Sequence, residues 1–215
     1  MKLWPYIKYF YFLFINWNLK IAWYMIMQET KGEKKYGIDT TGADELQQLE
    51  NMGIDISHAT IYMPVSYDLL EEIFNHICLS GSVTPKQFTG LHFVDIGCGK
   101  GRAVCVAAHY GFKKVTGIDF SKSLCEKAKN NLASTKSKIA DFAYTIINND
   151  AFYFEIPDDV DCIFFFNPFD DIIMSAVVNN IFESLQNKPR KLKIIYVNPV
   201  HKEQFLKAGY QETWY

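Results

Sequence analysis

The chain has 215 residues and a mass of 24.9 kDa, with 49% hydrophobic and 21% charged residues, the balance of one ordinary globular domain plus an appendage. That balance excludes intrinsic disorder, a collagen-like repeat and a disulfide scaffold. A formal net charge of -2 gives no global attraction to nucleic acid or anionic lipid. The five cysteines (Cys78, Cys98, Cys105, Cys125 and Cys162) lie far apart without metal-ligand spacing, and read as reduced thiols of a cytoplasmic protein that needs no metal.

The first segment, Trp4 to Met27 (WPYIKYFYFLFINWNLKIAWYMIM), is rich in aromatics and carries only Lys8 and Lys20 as charges. A transmembrane helix needs about 20 consecutive apolar residues. The charge-free run Tyr9 to Leu19 is shorter and holds Asn16 and Asn18, so a clean span is not expected. No small-residue cleavage site follows, which argues against a secretory signal. Two readings stay open. The segment is an aromatic helix packed on the main domain or on a second copy, or it is an interfacial anchor whose Trp and Tyr side chains enter a membrane surface. The polar run Gln28 to Lys35 (QETKGEKK) reads as a linker closing a unit at 1–35.

Residues 36–90 form a helical lead-in. Leu69, Leu70, Ile73, Phe74 and Ile77 recur at helical spacing between Ser66 and Cys78, with Glu71, Glu72 and Asn75 opposite them. Gly81 to Gly90 is a loop. From 91 to 215 strands and helices alternate. The strands are expected at His92–Ile96, Lys114–Asp119, Phe142–Ile147, Asp161–Phe166 and Leu192–Asn198. The helices are expected near Arg102–Tyr110, Ser121–Leu132, Asp171–Gln186 and Val200–Ala208. Such alternation predicts a Rossmann-like α/β fold: a doubly wound, mostly parallel sheet with helices on both faces, plus an N-terminal helical extension. Its ligands bind outside the carboxyl ends of the strands, so the residues after each strand carry the chemistry.

After the first strand comes Asp95-Ile96-Gly97-Cys98-Gly99-Lys100-Gly101-Arg102, with glycine at alternate positions leading into a helix. The backbone must approach a ligand closely there. The third glycine of a dinucleotide fingerprint is missing, and no Walker loop is present. Asp95 would repel a diphosphate but suits a ligand carrying an ammonium group. After the second strand, Asp119 can accept hydrogen bonds from both hydroxyls of a ribose, and Phe120 can stack on an adenine. After the third, Asp150 offers a carboxylate to an exocyclic amine and Ala151 a backbone N–H to a ring nitrogen. Asp150 reads equally well as a plain loop residue.

The stretch FVDIGCGKGRAVCVAAHYGFKKVTGIDFSKSLCEKAKNNL resembles the first two motifs of class I S-adenosylmethionine-dependent methyltransferases, over roughly Leu91 to Tyr215. The resemblance implies S-adenosyl-L-methionine as cofactor. Gly97, Cys98, Gly99 and Gly101 would cradle its methionine part, Asp95 would lie near its amino group, Asp119 would hold the ribose, and Asp150 would face the adenine. The upstream stretch, with Tyr62-x-Pro64, is similar to the lead-in of bacterial methyltransferases of unassigned substrate and to a tyrosine-proline motif of some protein-lysine methyltransferases.

After the fourth strand, Asn167-Pro168-Phe169-Asp170-Asp171 is similar to a shortened Asn-Pro-Pro-aromatic motif of amino-group methyltransferases, one proline short. An Asn side-chain oxygen and the next carbonyl can accept both N–H bonds of an amine and aim its lone pair at a sulfonium methyl, with Phe169 packing on the substrate. The same residues can instead end a buried strand and cap the next helix. Asn167, Pro168, Phe169 and Tyr62 are therefore the catalytic candidates, and the favoured reaction is methyl transfer to an amino nitrogen of a protein. A small molecule or a nucleic-acid base as acceptor, nucleic acid being the less favoured partner, and a non-catalytic cofactor-binding relative are the alternatives. The end of the chain, Gly209 to Tyr215, is expected to supply one short strand where such sheets usually finish with a hairpin.

Overall fold

Short apolar strands buried on both faces pair in parallel only when a helix returns the chain across the sheet. The computed structural model describes residues 3–42, 63–80, 90–166 and 168–213. Five strands, β1 (His92–Ile96), β2 (Lys114–Asp119), β3 (Ala143–Asn148), β4 (Cys162–Phe166) and β5 (Lys193–Val197), form one sheet. Its order is β3-β2-β1-β4-β5, and every neighbouring pair is parallel. The chain builds outward from β1 to β3, then crosses back to β4 beside β1. This reversal places a crevice at the carboxyl ends of β1 and β4.

The strands sort their side chains by alternation. Phe93, Cys162, Phe164 and Val115 enter a core with α3 (Tyr67–Ser80), α4 (Arg102–His109) and α5 (Lys122–Lys138). Val94, Ile96, Ile118, Ile163 and Phe165 enter the opposite core with α6 (Asp171–Asn187) and α7 (Lys202–Lys207). The helical stripe read in α3 delivers Leu70, Ile73 and Phe74 to the first core, where Phe74 meets Phe93 at 5.6 Å between ring centroids. Truncating such a fully buried ring costs about 3–5 kcal/mol. The doubly wound fold and its two helical layers are those expected, and each strand lies within a residue or so of its expected position.

Two expectations need correcting. Residues 28–35 are not a linker but the second half of α2 (Leu19–Tyr36), which Asn18 caps by accepting from Ile21 N at 2.9 Å. Glu29, Gly32, Glu33 and Tyr36 recur at helical spacing and are buried together, so the polar run is an inward face rather than a solvated connector. A Cβ on Gly32 would lie 2.0 Å from the Tyr67 ring, which is how closely α2 approaches α3. The second correction concerns the C-terminus. Among the described residues no strand follows β5; the Tyr210 ring packs on Phe205 at 5.8 Å, and Tyr210 N bonds to Phe205 O. That anchorage ends α7 and keeps Tyr210 against the second core. Helix α1 (Leu3–Asn16) folds back on α2 around Tyr9, Leu13 and Ala22.

Candidate cofactor site

The turn after β1 is shaped by three glycines in the left-handed region, Gly97 (φ 83), Gly99 (φ 53) and Gly101 (φ 81). A side chain on Gly97 would fall 2.3 Å from Pro168 Cβ, and one on Gly101 would crowd Ala128. The first glycine thus lets the chain leaving β4 close onto the loop, and the third lets α4 settle on α5. The amides of Gly97 and Cys98 both bond to Ile118 O, at 2.8 and 2.9 Å, which ties the loop to the end of β2. Cys98 is buried, with its Sγ 2.8 Å from where a Gly117 Cβ would stand, so Gly117 is needed for the thiol to fit.

Asp119, at the end of β2, braces this turn. Its Oδ2 accepts from Gly99 N at 2.8 Å and its Oδ1 from Ser121 N at 2.9 Å. It is 7% exposed, and burial, outweighing those two amides, pushes its carboxyl up to about 6. Asp95 is 4% exposed and is held well above the usual carboxylate range by burial and by the neighbouring Asp119 charge. Among the described residues, the Asp95 carboxylate has no hydrogen bond or ion pair. Two buried acids therefore flank one glycine turn, and among the described residues neither is ion-paired.

The rest of the strand ends close around this pair. Asn148 Nδ2 donates to Asp119 O and Phe120 O, joining β3 to β2, and leaves Phe120 half-buried. Asp150 is exposed; its Oδ1 accepts from Phe152 N and caps the short 3-10 turn Ala151–Tyr153, and Ala151 is half-buried. Pro168 is half-buried against Gly97, whereas the Phe169 ring is buried edge-on to Phe165 in the second core. Asp170 caps α6 by accepting from Ile172 N and Ile173 N. The structure thus gathers Asp95, Gly97, Cys98, Gly99, Gly101, Asp119 and Pro168 at one turn, and sets Phe120, Asp150 and Ala151 beside it. Tyr62 and Asn167 lie outside the described residues.

A further set of residues went unread in the sequence. Arg102, the first residue of α4, donates from Nη1 to Glu29 Oε1 and to Val65 O, both at 2.8 Å, and from Nη2 to Glu29 Oε2. Its Nε donates to Thr40 Oγ1 at 2.7 Å, and its guanidinium lies 4.1 Å over the Tyr67 ring. Glu33 Oε1 accepts from Thr40 Oγ1 at 2.7 Å and from Tyr67 OH at 3.0 Å; burial raises its pKa against the pull of Arg102. Lys100 Nζ donates to Thr41 O, while Asn131 Nδ2 reaches Asp39 O and Lys100 O. The signal available was the i, i+4 pair Glu29 and Glu33, in line with Gly32 and Tyr36.

Residues 87–214, more than half of the chain, match the sequence profile of a family described as a methyltransferase domain. The chain belongs to that methyltransferase family. No curated protein matches it. The methyltransferase is similar in fold to an S-adenosylmethionine-dependent methyltransferase from Geobacter sulfurreducens, solved with S-adenosyl-L-homocysteine: identity is 18%, TM-score 0.52, and the match covers 74% of this chain and 70% of that one. It is also similar to one from Thiobacillus denitrificans, again solved with S-adenosyl-L-homocysteine, at 18% identity and TM-score 0.51 over 71% of this chain and 67% of that one. Family and fold together make S-adenosylmethionine the cofactor of the methyltransferase. The donor set fits it: a glycine turn open to close backbone approach, and two buried carboxylates for a ligand that carries a sulfonium, an ammonium and ribose hydroxyls.

Proposed function

We propose that this methyltransferase acts on an amino nitrogen and that its acceptor is a protein side chain. The observation that carries the reading is the seat of Pro168 on Gly97, which brings the segment after β4 against the cofactor turn. When bound, S-adenosylmethionine supplies an activated methyl group on sulfur. The chain's own task is then to strip the acceptor of water and point its lone pair at that methyl, since positioning supplies most of the rate in such a displacement. In this reading the Asn167 side-chain oxygen and the Pro168 carbonyl accept the N–H bonds of the amine. The buried Phe169 ring and the Asp170 cap anchor the chain that follows Pro168. Tyr62 is the candidate to assist the loss of the amine's proton.

Nucleic acid is the less favoured acceptor, because a net charge of -2 gives it no global attraction. Cys98, Cys105, Cys125 and Cys162 are free and buried, which supports a reducing, cytoplasmic setting. The test is transfer of labelled methyl groups to separated protein, nucleic-acid and small-molecule fractions, run alongside Asn167→Ala. Label in protein, lost by roughly a hundredfold in the variant while cofactor affinity stays, is the expected result. Label confined to another fraction replaces the acceptor. Absence of S-adenosylhomocysteine formation with every fraction favours a non-catalytic relative.

A further inference from the structure

The N-terminal hairpin of α1 and α2 leaves most of its aromatic side chains in solvent. Trp4 is 65% exposed, Tyr11 63% and Trp23 63%, and Ile7, Phe14, Ile15, Trp17, Leu19 and Met27 are also exposed. The spacing orders them. Trp4, Lys8, Tyr11 and Ile15 follow one another at i, i+4, i+7 and i+11 on α1, and Leu19, Trp23 and Met27 follow at i, i+4 and i+8 on α2. Among the described residues of this part of the chain, Tyr6, Tyr9, Leu13 and Ala22 are the buried ones. Apolar surface this extensive marks a contact surface.

We propose that this hairpin docks the methyltransferase onto an anionic phospholipid surface, lying within the interface rather than crossing it. Charge selects this occupant. Residues 1–28 contain Lys2, Lys8 and Lys20 and no carboxylate, while the whole chain is net negative, so positive charge is concentrated where the exposed aromatics stand. A second copy fits less well. A two-fold contact would bring the same lysine-bearing faces together with no acid on either to pair them. The aromatic type fits as well, because Trp and Tyr favour the boundary between headgroups and acyl chains. Length rules out a crossing: at about 1.5 Å per residue the 14 residues of α1 extend roughly 21 Å, short of a hydrocarbon core of about 30 Å. Among the described residues no helix is long and apolar enough to cross a membrane.

The hairpin is also joined firmly to the enzyme. α2 is continuous from exposed Leu19 to buried Tyr36, and its second half carries Glu29 and Glu33, which bind Arg102 beside the glycine turn. A lipid-bound hairpin would therefore hold the catalytic domain at a fixed distance from the surface, with no flexible tether.

The test is flotation of the full chain with vesicles of phosphatidylcholine alone and of phosphatidylcholine with phosphatidylglycerol, together with sedimentation velocity without lipid. The two variants are Trp4→Ser/Tyr11→Ser/Trp23→Ser and Lys8→Glu/Lys20→Glu, all at exposed positions. The wild-type protein should float with the anionic vesicles, with a blue shift of its tryptophan emission. The aromatic variant should lose binding at least tenfold, and the lysine variant should lose several-fold on anionic vesicles only. Unchanged cofactor binding in both variants would show that the fold is kept. Failure of the wild-type chain to bind either vesicle, or a lipid-independent dimer that the aromatic variant dissolves, would overturn the proposal.

Discussion

Two clusters of buried charge stand on either side of the Gly101–Arg102 step, and they are balanced in opposite ways. On the α2 side, Glu29 and Glu33 are met by the Arg102 guanidinium, two threonines and Tyr67, all contributed by the protein itself. On the sheet side, Asp119 takes two backbone amides, no side-chain cation pairs with it or with Asp95 among the described residues, and burial raises both pKa values, as it raises that of Glu33 against the pull of Arg102. The difference separates architecture from binding. A charge cluster that the chain completes by itself fixes the fold, whereas one left incomplete describes its ligand, here one with positive groups.

That contrast is easiest to break from the balanced side. Arg102→Met should be the most damaging substitution considered, costing about 3–5 kcal/mol because it strands buried acids without their partner. Urea unfolding would measure it, and adding Glu29→Gln and Glu33→Gln should recover a large part of the loss. Asp119→Ala acts on the other side: cofactor affinity should fall by about 1–3 kcal/mol, the scale of hydrogen bonds to a charged group. Asp95→Asn sharpens the comparison further. It removes one of two like charges, so the cofactor-free protein should melt higher, by on the order of 1 kcal/mol, while the cofactor binds less tightly.

The smallest effect expected is the pH dependence. Asp119 titrates at about 6 in the folded protein, above its ordinary value of 3.8, so the folded state holds this proton more firmly than the unfolded chain does. Its contribution to the stability of the cofactor-free protein is full below pH 3.8 and is lost as the pH rises through about 6. The cofactor offers hydroxyls and positive charge to the ionised form. The thermal shift it produces should therefore be larger at pH 8 than at pH 5, and a shift equal at both would show that Asp119 does not face it.

Much of the sheet and its glycine turn was legible in the sequence, because strand burial and left-handed glycines are local requirements. Gly97, Gly99 and Gly101 mark the turn, Asp95 stands one residue before the end of its strand, and Asp119 ends the next. The Arg102 cluster was not legible, since its members are 73 and 69 residues apart along the chain and each looks like an ordinary surface charge. The run Gln28 to Lys35 misled for the same reason: polarity suggests solvent until a partner from another element satisfies it. Phe169 shows a different limit. Its place beside a proline and an asparagine suggests contact with a substrate, but its ring is buried in the second core, edge-on to Phe165.

The most direct test of the cofactor site is calorimetric titration with S-adenosylhomocysteine of the wild-type chain and of Asp119→Ala, each first shown to be folded by its cooperative unfolding. The account predicts one site per chain, weakened in the variant by roughly five- to 150-fold. A folded wild-type protein that takes up no ligand, or a variant that binds as tightly as the wild type, would contradict it.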